Sequence, residues 1–445
     1  MMEKYRRQTT HELSARLQEP VRRLVVLAGP RQIGKTTAIQ QVLGDRASDS
    51  YVFHPVDKVG TSHKDSSLYN PESAFAESTY YLSPIKNAAW LVETWQQARR
   101  AATARQKKWE EKNAMRGNDD KDADLEPFVL VYDEIQKIPD WSAVVKGLWD
   151  EDRANTISMH VVVLGSAPLL MQRGLSESLM GRFEIIEMSH WSFPEMHECF
   201  DFTLDQYIYF GGYPGPAHWV IKNNETRWRE EVRLSLIEPN LVKDILALAR
   251  IEKPALLRQL FELASSYSGQ IVAMTKLVAQ LQDAGNTTTL SHYLELLRAA
   301  GLIAGVPKYS TQPTHQRKTP PKIHVLNTAF QSIYSGLTFA QARADTSFWG
   351  RLVESCIGAH LLNTARDGLK VYHWRESSVE VDFVLQQGQK LSAIEVKSSS
   401  LKGGAYKGLQ HFCDRHPKQK IKQIMIGADD FSIAEALKKP AADWL

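Results

Sequence analysis

The 445-residue chain holds only three cysteines, Cys199, Cys356 and Cys413, odd in number and far apart. That excludes a disulfide framework and fits no zinc-ligand spacing, so all three are expected to be packing residues in a reducing cytoplasm. No apolar run approaches the roughly 20 residues of a membrane span. The N-terminal MMEKYRRQTTHEL lacks the apolar stretch of a signal peptide, so a cytosolic protein with no membrane partner is expected. Charge of one sign is also missing: Lys and Arg number 54, Asp and Glu 51, and the net charge is +3. Any nucleic-acid surface must therefore be a local basic patch, because the whole molecule is not an electrostatic magnet. Hydrophobic content of 43% and charged content of 24% are those of an ordinary globular chain, and the length calls for two or three domains.

What the chain does have is Leu24 to Thr37, LVVLAGPRQIGKTT, an aliphatic run closed by a glycine-bounded loop. Gly29 to Thr36 satisfies G-x-x-x-x-G-K-[ST], with the buried strand that such a loop needs behind it. Gly29, Pro30, Arg31, Gln32, Ile33 and Gly34 would wrap phosphates with their backbone. Lys35 would meet the β- and γ-phosphates, Thr36 would place its hydroxyl on Mg2+, and Thr37 would continue into a helix whose N-terminus faces the anion. Phe128-Val129-Leu130-Val131-Tyr132 is a second buried run, ending in Asp133, which would hold Mg2+ through water, and Glu134, which would polarise the attacking water. A third run, Val161 to Leu164, leads to Ser166, placed to sense a γ-phosphate. Arg182 has two readings, an arginine finger given to its own or a neighbouring chain of a homo-oligomer, or a surface ion-pair residue.

The stretches GPRQIGKTT, DEIQKIPDW from Asp133, LGSAPLL from Leu164, SLMGR from Ser178 and FGGYP from Phe210 together resemble prokaryotic AAA-type ATPases with a C-terminal restriction-endonuclease-like domain of unknown function. The resemblance implies ATP binding by the residues just named. Residues 58–127 form a longer connection than such proteins usually have. Trp90 to Trp109 reads as a helix within this insertion, and Gln106 to Glu126 as a solvated linker.

Residues 201–250 are expected to be a helical lid. In 251–321, three helical patterns (Pro254 to Tyr267, Thr275 to Gln282, Thr288 to Ala300, capped by Thr287 or Thr288) precede a strand and a basic loop, Thr311 to Lys322. Three helices and a β-wing predict a winged helix-turn-helix, whose wing residues Arg317, Lys318 and Lys322 would contact DNA phosphates. Residues 322–445 predict a helix carrying Glu354 and then a β-meander whose hairpin at Gly388 sets Asp382 opposite Glu395, with Lys397 two residues on. D-(x)12-E-x-K with a helical glutamate resembles the PD-(D/E)xK nuclease set, with Val381 where proline is usual. By that resemblance Glu354, Asp382 and Glu395 would bind Mg2+ or Mn2+, and Lys397 would orient water or meet charge on the phosphate. Asn327 and Ala329 stand where the family usually has aspartate and glycine. The expected fold is thus α/β: an AAA-type P-loop domain (1–200), lid, winged helix and nuclease-like domain. Two functions fit it. One is an ATP-coupled DNA nuclease in repair, replication-stress handling or defence; the other is a regulatory ATPase that binds DNA or a protein without cutting.

Overall fold

The computed structural model describes residues 5–56, 86–114, 125–165, 179–239, 241, 245, 251, 253–282, 285–312, 319–398, 406–427 and 430–445. They fall into two compact units, Met1–Gly29 with Gly34–Met188, and Pro30–Ile33 with Ser189–Leu445. The division comes at Met188/Ser189, not at residue 200, and the three expected C-terminal segments count as one unit.

The first unit has helix α1 (Gln8–Arg16), strand β1 (Leu24–Ala28), α2 (Lys35–Gly44), β2 (Tyr51–Pro55), α3 (Ala88–Ala114), β3 (Phe128–Asp133), α4 (Trp141–Ala154), β4 (Met159–Gly165) and β5 (Phe183–Glu187). The strands form one parallel sheet in the order β2-β3-β4-β1-β5. Parallel strands covered on both faces need near-continuous apolar sequence, and β1, β3 and β4 supply it: β3 and β4 are buried throughout and β1 along its first four residues.

Within the segment expected to be an insertion, Ala88–Ala114 is a helix packed as an element of the first unit. Helix α3 buries Leu91, Thr94, Trp95, Ala98 and Ala102, a stripe at helical spacing, and Trp95 stacks on Tyr132 of β3 with ring centroids 6.2 Å apart. It is the crossover that parallel neighbours β2 and β3 require. The helix also runs through Ala114, beyond the expected start of a linker. Residues 57–85 and 115–124 of this segment lie outside the described residues.

The second unit begins with short helices over Phe193–Phe200, Leu204–Phe210, Ala217–Ile221 and Glu225–Glu231, the last continuing as a π-helical stretch, Val232–Ile237. Ser192/Glu195 and Thr203/Gln206 form capping boxes that fix the first two starts. Then come α5 (Pro254–Ser266), β6 (Gln270–Ile271), α6 (Met274–Gln280), α7 (Thr287–Ala299), β7 (Ile303–Val306) and β8 (Lys322–Val325), with an antiparallel sheet ordered β6-β8-β7. The cap of α7 is Asn286, which accepts from Thr289 N at 2.9 Å, not Thr287 or Thr288. Because β8 is the middle strand of this sheet, the expected boundary at residue 322 cuts through a strand array.

After a helix over Thr328–Ser335 the chain forms α8 (Thr346–Thr364), β9 (Lys370–Glu376), β10 (Val379–Gln387), β11 (Lys390–Val396), α9 (Lys407–Arg415) and β12 (Ile421–Ile426). The sheet order is β12-β11-β10-β9, antiparallel except for β11 with β12, the pair joined through α9. Gly388, at φ 59°, takes the first position of the two-residue β10–β11 turn, a conformation that costs other residues strain. Trp374, Val381, Val384, Ala393, Leu409, Phe412 and Met425 pack together as this sheet's core.

Candidate functional sites

At the first site, β1 delivers the loop and α2 begins directly after it. Gly34, the N-cap, sits at φ 96° and offers no side-chain acceptor, so α2 starts without the side-chain cap that Asn286 and Asp345 give to α7 and α8, a start that suits an outside anion. Lys35 is 6% exposed, and its Nζ donates to Gly29 O at 2.9 Å. Thr36 Oγ1 donates to Asp133 Oδ2 at 2.8 Å, so the two side chains expected to share a Mg2+ ion already meet. Asp133 is 7% exposed at the end of β3. Glu134 follows in the left-handed region (φ 61°), held by its N–H on Leu164 O at 3.0 Å, and its Oε2 accepts from Gln136 Nε2 at 2.6 Å. This donor set fits a nucleotide with Mg2+: hard oxygens, one buried ammonium and an uncapped helix start at the carboxyl ends of parallel strands. Within the second unit, Gln32 Nε2 donates to Ser235 O at 2.8 Å in the π-helical stretch, and Trp191 Nε1 to Ile33 O at 2.9 Å.

Arg182 is not brought to this loop. Its carbonyl accepts from Leu24 N at the entry end of β1, about 15 Å from the loop at about 3.3 Å per residue. Its guanidinium is bidentate on Asp150, at 2.7 and 3.1 Å. The finger acting within its own chain is therefore corrected to the ion-pair reading. Ser166 and residues 315–318, which include Arg317 and Lys318, lie outside the described residues.

The second site lies in the C-terminal portion. The β10–β11 register pairs Phe383 with Ile394, and one step further sets Asp382 against Glu395, as the hairpin arithmetic predicts. A register irregularity between Val381 and Val384 interrupts the pairing with β9 at Asp382, the kind of local break that re-aims a side chain. Asp382 Oδ2 accepts from Val396 N at 2.9 Å, and Lys397 Nζ lies 2.5 Å from Glu395 Oε1. Two members of the site were not expected. Lys322 Nζ lies 2.6 Å from Glu354 Oε1, 2.9 Å from Glu380 Oε1 and 3.1 Å from Asp382 Oδ1, and the residue is 1% exposed. Lys322 is thus no phosphate contact of a wing; it is the internal counter-ion of three carboxylates. Glu380 was legible as a residue on the Asp382 face of β10, two positions away, whereas nothing in the sequence announces a partner 32 to 60 residues distant.

Electrostatics follow from that count of four carboxylates to two ammonium groups. Burial, then the Asp382 charge, pushes the Glu354 and Glu395 carboxyls well above the usual carboxylate range. Burial works against the Lys322 ammonium, but Asp382, Glu354 and Glu380 outweigh it and hold it above the ordinary lysine range. Beneath lie His324 and His373, the latter pushed down to about 3 by burial and by Lys322. Glu395 Oε2 is buried with no hydrogen-bond partner among the described residues. An unpartnered carboxylate oxygen beside excess negative charge suits a hard divalent ion. As folded, however, no three acidic, histidine or cysteine side chains among the described residues are arranged around an ion. Asn327, where aspartate was the family expectation, still caps its helix by accepting from Ala329 N at 3.1 Å.

Residues 91–197 match the AAA domain family. Residues 201–340 and 349–439 match two domains of unknown function, DUF8612 and DUF4143. No curated protein matches the chain. Solved structures similar to it include the Walker-type ATPase PABY2304 of Pyrococcus abyssi (13% identity, 74% of this chain and 95% of that one, TM-score 0.44). Others are a RuvB variant of Thermotoga maritima (15%, 67% and 86%, 0.25) and the Aeropyrum pernix ORC1 protein in complex with DNA (12%, 76% and 93%, 0.25). No helix among the described residues is long and apolar enough to cross a membrane.

Proposed function

We propose that this chain, whose first unit is an AAA-type ATPase, couples ATP hydrolysis to a metal-dependent DNA phosphodiesterase site in its C-terminal portion. Lys35 binds the β- and γ-phosphates, Thr36 and Asp133 hold Mg2+, and Glu134 orients the attacking water. The second half rests on one observation, the convergence of Glu354, Asp382, Glu395 and Lys397 on a frame of α8, three antiparallel strands, α9 and a parallel fourth. A divalent ion held there supplies Lewis acidity and an activated water. The chain's own groups do the rest: Val396 N–H fixes the Asp382 carboxylate, and Lys397, kept charged by Glu395, meets the negative charge that develops on the phosphate.

The β6-β8-β7 sheet, whose strands are interspersed with and follow α5, α6 and α7, supports the winged-helix reading of 251–321, with the loop between β7 and β8, which contains Arg317 and Lys318, contacting DNA phosphates in any sequence. Lys322 seated among the carboxylates favours a second reading, in which the portion binds DNA or a protein without cutting. Incubating the full chain with plasmid DNA in Mg2+ or Mn2+, with and without ATP, separates them. Cleavage lost in Asp382→Asn supports the first reading, and intact DNA in every condition supports the second.

A further inference from the structure

Lys322 reaches the acidic site from outside its frame. The other members come from α8, β10 and the end of β11, whereas Lys322 opens β8, the middle strand of the small β6-β8-β7 sheet. Its ammonium takes one oxygen each from Glu354 and Asp382, two of the three groups that would hold a metal, and a third from Glu380, which is not one of them. Its stem runs by Phe383, with Nζ 5.6 Å from the ring centroid. An ammonium at 2.6 to 3.1 Å from three carboxylate oxygens stands where a cation bound by those oxygens would stand. Lysine and metal therefore compete for the same donors, and only one can hold them.

Resting on the metal-site reading above, we propose that Lys322 is a built-in cation that keeps the C-terminal site closed to divalent metal, and that Glu380 is the clamp that holds it there. The site opens when β8 is displaced, since a shift of about an ångström or two would break all three ion pairs together. Glu380 gives the proposal a sign that a merely structural lysine does not have. If Glu380 only ligated the metal, neutralising it would weaken metal binding; as the clamp on a competitor, neutralising it strengthens metal binding.

The test is direct Mn2+ binding by the full-length protein, by calorimetry or by the electron paramagnetic resonance of free Mn2+, with the otherwise wild-type chain, Lys322→Met, Glu380→Gln and Asp382→Asn, each also carrying Asp133→Asn so that the nucleotide site adds no metal. Methionine keeps the stem's packing over Phe383 and removes the charge. Lys322→Met is expected to bind Mn2+ at least tenfold more tightly than wild type, Glu380→Gln severalfold more tightly, and Asp382→Asn not measurably. Should Lys322→Met be unfolded alone but fold when Mn2+ is added, metal has replaced the lysine and the proposal stands. If it folds in neither state, Glu380→Gln, partly exposed and outside the core, decides by the sign of its effect. Equal affinity in wild type and Lys322→Met, or weaker binding in Glu380→Gln, overturns the lysine gate while leaving the metal site intact. Absence of Mn2+ binding in all four proteins overturns the metal-site reading itself.

Discussion

Asp152→Ala tests whether α3 belongs to the ATPase core. Asp152 lies on α4 at 2% exposure; its Oδ2 accepts from Trp95 Nε1 at 2.8 Å and its Oδ1 takes the Arg99 guanidinium. Burial already outweighs these partners and holds the Asp152 carboxyl above its usual range, so the pair itself adds little net stability. Removing the carboxylate does something different: it strands what it leaves behind. Trp95 Nε1, in a residue 0% exposed, is deprived of its acceptor, at about 1–3 kcal/mol. Arg99 keeps Leu148 O at 2.7 Å and Glu151 at 2.8 Å, so it gives up one charge-assisted bond, about 1.5–3 kcal/mol. Together this is about 2.5–6 kcal/mol, or roughly 5–24 °C in the melting temperature of a unit this size. The companion Glu151→Ala removes a partner whose side chain is 54% exposed and should cost under about 1 kcal/mol. Thermal unfolding of the first unit, followed by tryptophan fluorescence, reads both. Equal, small losses in the two variants would mean that α3 is not packed on the sheet, and the crossover assignment would fall.

Lys35→Ala should lose nucleotide binding in a fluorescent-ATP titration, whereas Glu134→Gln should bind ATP normally and hydrolyse it slowly; wild-type turnover in Glu134→Gln would displace the catalytic assignment. Asp150→Ala frees Arg182 far from the loop and should leave ATP turnover within about twofold of wild type. His160, buried with Nε2 3.0 Å from Glu19 O, is pushed down to about 4 by burial, below its unfolded value. As pH falls the unfolded chain takes that proton first, so stability should drop by about 2 kcal/mol between about pH 7.5 and 5, and His160→Gln should flatten the urea-midpoint profile across that window. Neutralising Arg317 and Lys318 should lower the salt dependence of DNA binding by roughly one log–log unit per phosphate left unneutralised, similarly for unrelated sequences; an unchanged slope would place the DNA surface elsewhere.

Local signals carried the sequence reading far. The phosphate loop is one contiguous string, so its strand, turn and helix follow from neighbours. The Asp382–Glu395 pairing needs only a two-residue turn at Gly388 and the period of a strand. What stayed hidden depends on distant partners. The crossover helix α3 has a thin apolar stripe of Leu91, Trp95, Ala98 and Ala102 among many charges, and only the sheet beneath it reveals a core element. Lys322 ends a basic, proline-rich loop, where a lysine reads as solvated; its burial is set by carboxylates on α8 and β10. Asn286 outcompeted the threonines as a cap because its side chain reaches Thr289 N from one residue earlier.

The most direct test of the central claim is cleavage of supercoiled plasmid by the full-length protein in Mn2+, with and without ATP, beside Asp382→Asn and Lys35→Ala. Metal-dependent nicking that ATP alters in wild type, that Asp382→Asn abolishes and that loses its ATP response in Lys35→Ala is the predicted result. Nicking that persists in Asp382→Asn, or a plasmid left supercoiled by wild type under all conditions, would contradict it.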